Sequence, residues 1–165
     1  MFIQIFTTGG TFDKVYFDAL SDYQIGEPQA GELLQQARIN GEFAVQSLVK
    51  KDSLELNDAD RELIHAAVSA CPHRHILITH GTDTMTVTAA ALADIDDKVI
   101  VLTGAMQPAR FRDSDALFNL GLAIGALNTC PPGVWIAMSG RIFAADGVSK
   151  NRIAGRFEPS SEAEG

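Results

Sequence analysis

The amino-acid sequence predicts an α/β fold, a three-layer, mostly parallel sheet with helices on both faces. Three observations carry that expectation. Short apolar runs alternate with amphipathic or alanine-rich segments, the order expected of successive βα units. Two of the runs, 76–78 and 99–102, are apolar at every position, as in strands covered from both sides. The 165 residues suit one domain, and with 46% hydrophobic and 21% charged residues the chain can bury a single core.

The elements follow in order. Residues 2–6 are a strand candidate, halted by Gly9 and Gly10. Residues 11–27 keep no clean period and read as a long loop, a type of segment that is often functional. Pro28 suits the first turn of a helix that extends to residue 39. A second strand is expected over 43–49. Asn57 can cap a helix running to residue 70. The strand 75–79 ends in the polar cluster His80, Gly81, Thr82 and Asp83, and an alanine-rich helix follows over 84–93. The strand 99–102 leads into Gly104. A helix is expected over 112–128, with Leu117, Leu120, Ile124 and Leu127 on one apolar stripe. A fifth strand covers 134–138, and 139–155, rich in Gly, Ser and Asp, reads as a loop or hairpin. The domain is expected over 1–157, with 158–165 a flexible acidic tail.

Charge and composition narrow the function classes. A net charge of −8 argues against a nucleic-acid surface, which needs clustered Lys and Arg. No stretch reaches the roughly 18 apolar residues of a membrane span, and the N-terminus lacks the basic and apolar regions of a secretory signal. Cys71 and Cys130 lack metal-ligand spacing, give no disulfide framework and read as buried small hydrophobes, compatible with a reducing compartment. A cytoplasmic protein with no membrane partner is expected.

Open parallel sheets bind ligands beyond the carboxyl ends of their strands. The clusters at 7–11, 80–83 and 103–107 each follow a strand candidate and should converge on one edge. In the turn at 8–11, two glycines allow backbone conformations closed to other residues, and successive N–H groups can hold an oxyanion beside the hydroxyl of Thr11. Incidental threonines in a strand-to-loop turn would look the same. Thr82 or Asp83 can cap the following helix, or stand at a site where Asp83 holds an ammonium. His80 reads more readily as a packed hydrogen-bonding residue than as a base. Lys150 is either solvated or, pressed against a hydroxyl, a base.

Taken together the segments resemble a known family. TTGGTFD at 7–13 is similar to the nucleophile motif of the bacterial-type L-asparaginases, and ITHGTDTMTVTA at 78–89 resembles their second motif. LTGAMQP at 102–108, SDALFNL at 114–120 and DGVSKNR at 146–152 resemble further family segments in the same order. The resemblance implies hydrolysis of L-asparagine to L-aspartate and ammonia through a covalent acyl-enzyme, with no cofactor and no metal. It favours Thr11 over Thr82 as the nucleophile, a choice the residues alone leave open, and places an assisting tyrosine on Tyr23 rather than Tyr16 and a second catalytic group on Thr82, Asp83 and Lys150. Substrate contacts fall on Gly10, Ser53, Thr82, Asp83 and the Ala105 carbonyl.

Departures from the family pattern qualify this. The chain stops where relatives begin a smaller C-terminal domain, which gives the substrate ammonium a carboxylate across a dimer interface; short single-domain members also occur. Glu55 or Asp115 could replace that carboxylate, and Leu54 stands where relatives carry a polar contact. Weak binding, with KM in the upper, millimolar part of the usual range, and low glutaminase activity are expected. The expected partner is a second copy of the chain, as a homodimer or higher homo-oligomer. A rival reading is the ammonia-generating subunit of a tRNA-dependent amidotransferase, and another is a non-catalytic amino-acid sensor.

Overall fold

In the computed structural model, which describes residues 1–160, the chain runs β1 (Phe2–Gly9), β2 (Lys14–Phe17), β3 (Asp22–Ile25), α1 (Ala30–Gln36), β4 (Glu42–Lys51), α2 (Asp58–Ala70), β5 (His75–Thr79), α3 (Met85–Ala91), β6 (Val99–Thr103), α4 (Ala116–Thr129), β7 (Gly133–Met138), β8 (Arg141–Ala144), β9 (Val148–Asn151) and β10 (Arg156–Pro159). Six strands form one sheet in the order β4-β1-β5-β6-β7-β8. The first five are parallel, and β8 closes the edge antiparallel to β7. The chain passes from β1 outward to β4 and then returns to β5 on the other flank of β1. The gap between β1 and β5 is therefore the topological switch point, where open α/β sheets hold their ligands.

The apolar runs explain the three layers. Along β5, Ile76 and Ile78 face one side and Leu77 the other; along β6, Ile100 and Leu102 oppose Val99 and Val101. The first set packs with Ile64 and Val68 of α2 and Met85 and Ala89 of α3. The second packs with Ala30 and Leu34 of α1 and with Leu120, Ala123 and Leu127 of α4. Burial of an aliphatic side chain on this scale stabilises the fold by about 1.5–3 kcal/mol. Asn57 begins α2 with a full capping box: its Oδ1 accepts from Asp60 N at 3.0 Å, and Asp60 Oδ2 accepts from Asn57 N at 3.0 Å.

Several expectations are corrected. Residues 11–27 are not a long loop: β2 and β3 pair as an antiparallel hairpin, Lys14 against Ile25 through Phe17 against Asp22. On α4 the buried stripe is Ala116, Asn119, Leu120, Ala123, Ala126 and Leu127, while Leu117 is half exposed, because small residues let the helix lie close to the sheet. The segment 139–155, expected as a loop or hairpin, takes the hairpin alternative: it holds β8 and β9, and β9 pairs with β10. Glu158 and Pro159 belong to that pairing, opposite Ser149 and Val148, so the ordered chain passes the expected boundary at 157. The rest of the acidic-tail reading, 161–165, lies outside the described residues.

Candidate active site

Close backbone approach assembles the site. Gly10 ends the β1 turn at φ 75, ψ −172, a conformation open essentially to glycine alone. A Cβ on Gly10 would lie 2.5 Å from both Cα and N of Gly81, so the turn after β1 rests directly on the turn after β5. Gly81 in turn presses on Ser53, where a Cβ would meet Ser53 Oγ at 2.7 Å. Gly104 closes the other side against the His80 carbonyl and the Thr82 methyl. Turns following β1, β4, β5 and β6 thus meet at the switch point, carrying Thr11, Ser53, Thr82 and Ala105.

Lys150 reaches the same place from β9. Its Nζ donates to Thr82 Oγ1 at 2.7 Å and to Asp83 Oδ1 at 2.9 Å. Thr82 is buried, and the Lys150 side chain is 16% exposed. Neither Thr82 nor Asp83 caps α3. The N-cap is Thr84, whose hydroxyl donates to Ser53 O at 2.7 Å and ties the β4 and β5 turns together. The cap reading of the HGTD segment therefore fails, which leaves both side chains with Lys150.

Other predicted residues are placed differently. Thr11 begins a single 3-10 turn at the edge of the gap, half-buried. The Gly10 N–H donates to Lys51 O at 2.9 Å, so Gly10 shapes the site sterically rather than as a donor. Tyr23 stands on β3 and is 45% exposed; its ring meets Tyr16 at 5.4 Å and Phe111 at 5.9 Å, edge to face. Among the described residues it makes no hydrogen bond to Thr11. The family resemblance implies that this hairpin closes over bound substrate and brings Tyr23 to Thr11. Ligand should then slow proteolytic cleavage between 16 and 25, and limited proteolysis with saturating L-aspartate checks this: equal rates with and without it would leave Tyr23 out of the site.

His80 is fully buried between the Gly81 carbonyl at 2.7 Å and Thr88 Oγ1 at 2.8 Å. Burial pushes its pKa down to about 4, so it is a neutral packing group. Asp115 accepts from Met106 N at 2.9 Å, Gln107 N at 3.0 Å and Asn119 Nδ2 at 2.9 Å. It holds the turn that carries Ala105 and is thus occupied. Leu54 points to solvent, 68% exposed. Asp52, which burial alone would push up, is held below its ordinary value by the Leu54 N–H, by Lys14 and by the field of Lys150.

Sequence reasoning missed Asp13. It is buried two residues after Thr11, accepts from Gln29 N at 2.9 Å, and so fastens the root of the hairpin to the approach of α1. Gln29 Oε1 extends the network to Arg110 Nε at 3.1 Å. Burial pushes Asp13 up to about 6, against the lowering pull of the Gln29 N–H and Lys50. The folded state then holds this proton more tightly than the unfolded chain, whose aspartate titrates near 3.8. The associated stability is complete below about pH 4 and is lost as pH rises through about 6. Asp13→Asn keeps the acceptor and removes the charge. It should raise stability by about 3 kcal/mol at pH 8 and not at pH 4. Melting curves at both pH values check it; an equal shift at both would exclude the buried charge as the cause.

Comparison with known proteins agrees with this architecture. A family model described as Asparaginase, N-terminal matches residues 2–157. A probable periplasmic L-asparaginase from Haemophilus influenzae is 32% identical over 164 residues, covering 90% of this chain and 46% of its own. The L-asparaginase of Thermococcus kodakarensis is 31% identical, covering 91% and 48%. Its solved structure superposes with a TM-score of 0.85 at 28% identity, over 96% of this chain and 51% of that one. A probable cytoplasmic L-asparaginase from Campylobacter jejuni superposes at 0.79 with 29% identity, over 95% and 53%. The chain spans about half the length of the curated relatives it matches. Among the described residues no helix is long and apolar enough to cross a membrane. With the fold, the order of its motifs and the family model in agreement over 2–157, the chain belongs to the asparaginase family, matching its N-terminal domain.

Proposed function

We propose that this chain hydrolyses L-asparagine to L-aspartate and ammonia. The observation that carries the reading is the Lys150 ammonium held at 2.7 Å from the Thr82 hydroxyl and 2.9 Å from Asp83 across the switch point. Thr11 stands on the facing turn as the nucleophile. Its attack on the side-chain amide gives a tetrahedral intermediate, and loss of ammonia leaves an acyl-enzyme ester. Because the Gly10 N–H is engaged with Lys51, the oxyanion falls to the N–H groups of Thr11 and Thr82 on either side of the gap. Lys150 first gives a proton through the Thr82 hydroxyl to the departing nitrogen, which leaves as ammonium; in deacylation the neutral amine takes back, through that hydroxyl, a proton from the water that attacks the ester. Asp83 fixes Lys150 and receives the substrate ammonium, Ser53 lies where the carboxylate would sit, and the Ala105 carbonyl stands near the amide. Glutamine is a poor second substrate, and KM for asparagine is high.

The reading extends to a cytoplasmic homo-oligomer, supported by the free thiols and by Leu117 and Phe118, exposed side by side on α4. The test is ammonia release by the purified chain from L-asparagine and L-glutamine, beside Thr11→Ala. Release from asparagine that vanishes in the variant supports enzyme class and nucleophile together. No release at high millimolar asparagine would overturn the reading, in favour of a partner-dependent subunit or an amino-acid sensor.

A further inference from the structure

Arg152 follows Lys150 by two residues, in the turn just after β9, and its side chain comes back to the same carboxylate as Lys150. Both reach one atom: Lys150 Nζ lies 2.9 Å and the Arg152 guanidinium 3.4 Å from Asp83 Oδ1. Their situations differ. The Lys150 side chain is 16% exposed and bonded to Thr82; the Arg152 side chain is 66% exposed and stands at the open rim. Across the rim Asp52 is already matched by Lys14 at 3.1 Å. Asp83 therefore faces two cations alone, and the mouth of the site carries excess positive charge.

This has consequences for both ends of an amino-acid substrate. An incoming ammonium meets a carboxylate whose charge is already offset by two cations on Oδ1, and only Oδ2 is left to receive it. An incoming carboxylate meets a guanidinium held only by a long, exposed contact, of the kind that contributes little to stability. A guanidinium also offers a carboxylate two parallel hydrogen bonds. We propose that Arg152 is a specificity-determining residue that leaves Asp83 to bind the substrate's carboxylate, so that the site selects half-amides of short dicarboxylic acids and depends more on the carboxylate than on the ammonium. The inference rests on the amide-hydrolysis reading above.

Three substrates separate the groups: L-asparagine, succinamate, which lacks the ammonium, and L-aspartic acid diamide, which lacks the carboxylate. With the wild-type chain, loss of the carboxylate should lower kcat/KM by about a hundredfold and loss of the ammonium by less than about tenfold, as fits one lost charge-assisted pair. In Arg152→Gln the carboxylate's advantage should shrink to about threefold, through KM, and Arg152→Lys should recover part of it. An unchanged advantage in Arg152→Gln would overturn the inference. So would a tighter KM for asparagine in that variant, which would make Arg152 only a competitor for Asp83. Calorimetric binding of succinate to the wild type and to Arg152→Gln gives a readout without turnover. Arg152-dependent succinate binding by a chain that releases no ammonia would leave this inference standing and the reaction reading overturned; equal binding would overturn the inference.

Discussion

Lys150→Ala is expected to lower kcat for asparagine by about a thousandfold, within the range a positioned proton acceptor contributes. The reason is local. Lys150 Nζ bridges Thr82 Oγ1 at 2.7 Å and Asp83 Oδ1 at 2.9 Å, and among the described residues no other basic side chain contacts that hydroxyl. Arg152 touches Asp83, yet a guanidinium does not give up its proton and cannot substitute. Stability should change little, by about 1 kcal/mol, because Asp83 keeps Arg152 and is 29% exposed. Thr11→Ala should lose turnover at least as completely. The double variant should lose hardly more than either alone, since residues acting as one unit are non-additive. Steady-state ammonia release from the three variants, with melting curves as a control, checks this. A Lys150→Ala chain with near-wild-type kcat would remove Lys150 from the chemistry, and additive losses would place the two residues in separate steps.

How far such roles could be read beforehand depended on what each segment packs against. The strands 75–79 and 99–102 were legible because both faces are buried, so every position had to be apolar. Asn57 was legible because a capping box is local chemistry. The β2–β3 hairpin was not: its residues are half-buried or exposed on both faces, so no alternation of polar and apolar residues marks it. On α4 the helix period was blurred, since Leu117 and Phe118 are apolar yet exposed and half of the buried stripe is alanine. The site residues and the grouping of Lys150 with Thr82 and Asp83 were legible only through motif resemblance, not from the local sequence. Lys150 and Thr82 are 68 positions apart, and nothing local ties a lysine in one hairpin to a hydroxyl in another turn. Asp13 and Arg152 went unread for a similar reason. A carboxylate after the TGGT turn and an arginine after Lys150 look solvated until burial places one and the Asp83 contact the other.

Gly10→Ala should cost both the fold and the reaction, and the two losses can be separated. At φ 75 and ψ −172 an alanine is strained by about 1–3 kcal/mol before any contact is considered. Its Cβ would also sit 2.5 Å from the Cα and N of Gly81. Those are backbone atoms and cannot swing aside. Nor can the Gly81 turn retreat, because Ser53 is packed against its other side and Thr84 Oγ1 holds Ser53 O at 2.7 Å. Overpacking of this kind costs about 1–3 kcal/mol more, so a fall of about 10 °C in melting temperature is expected. The remaining relief is to push the β1 turn away from the β5 turn, which draws Thr11 off Thr82 and Lys150. A displacement near 1 Å costs about a hundredfold in rate. Gly121 and Gly125 supply the control: each lies within α4 with open space around its Cα, and alanine there should stabilise the helix by about 0.5–1 kcal/mol. Adding Gly121→Ala and Gly125→Ala to Gly10→Ala should therefore restore part of the melting temperature and none of the turnover. If turnover returned together with stability, the closeness of the two turns would matter to folding alone.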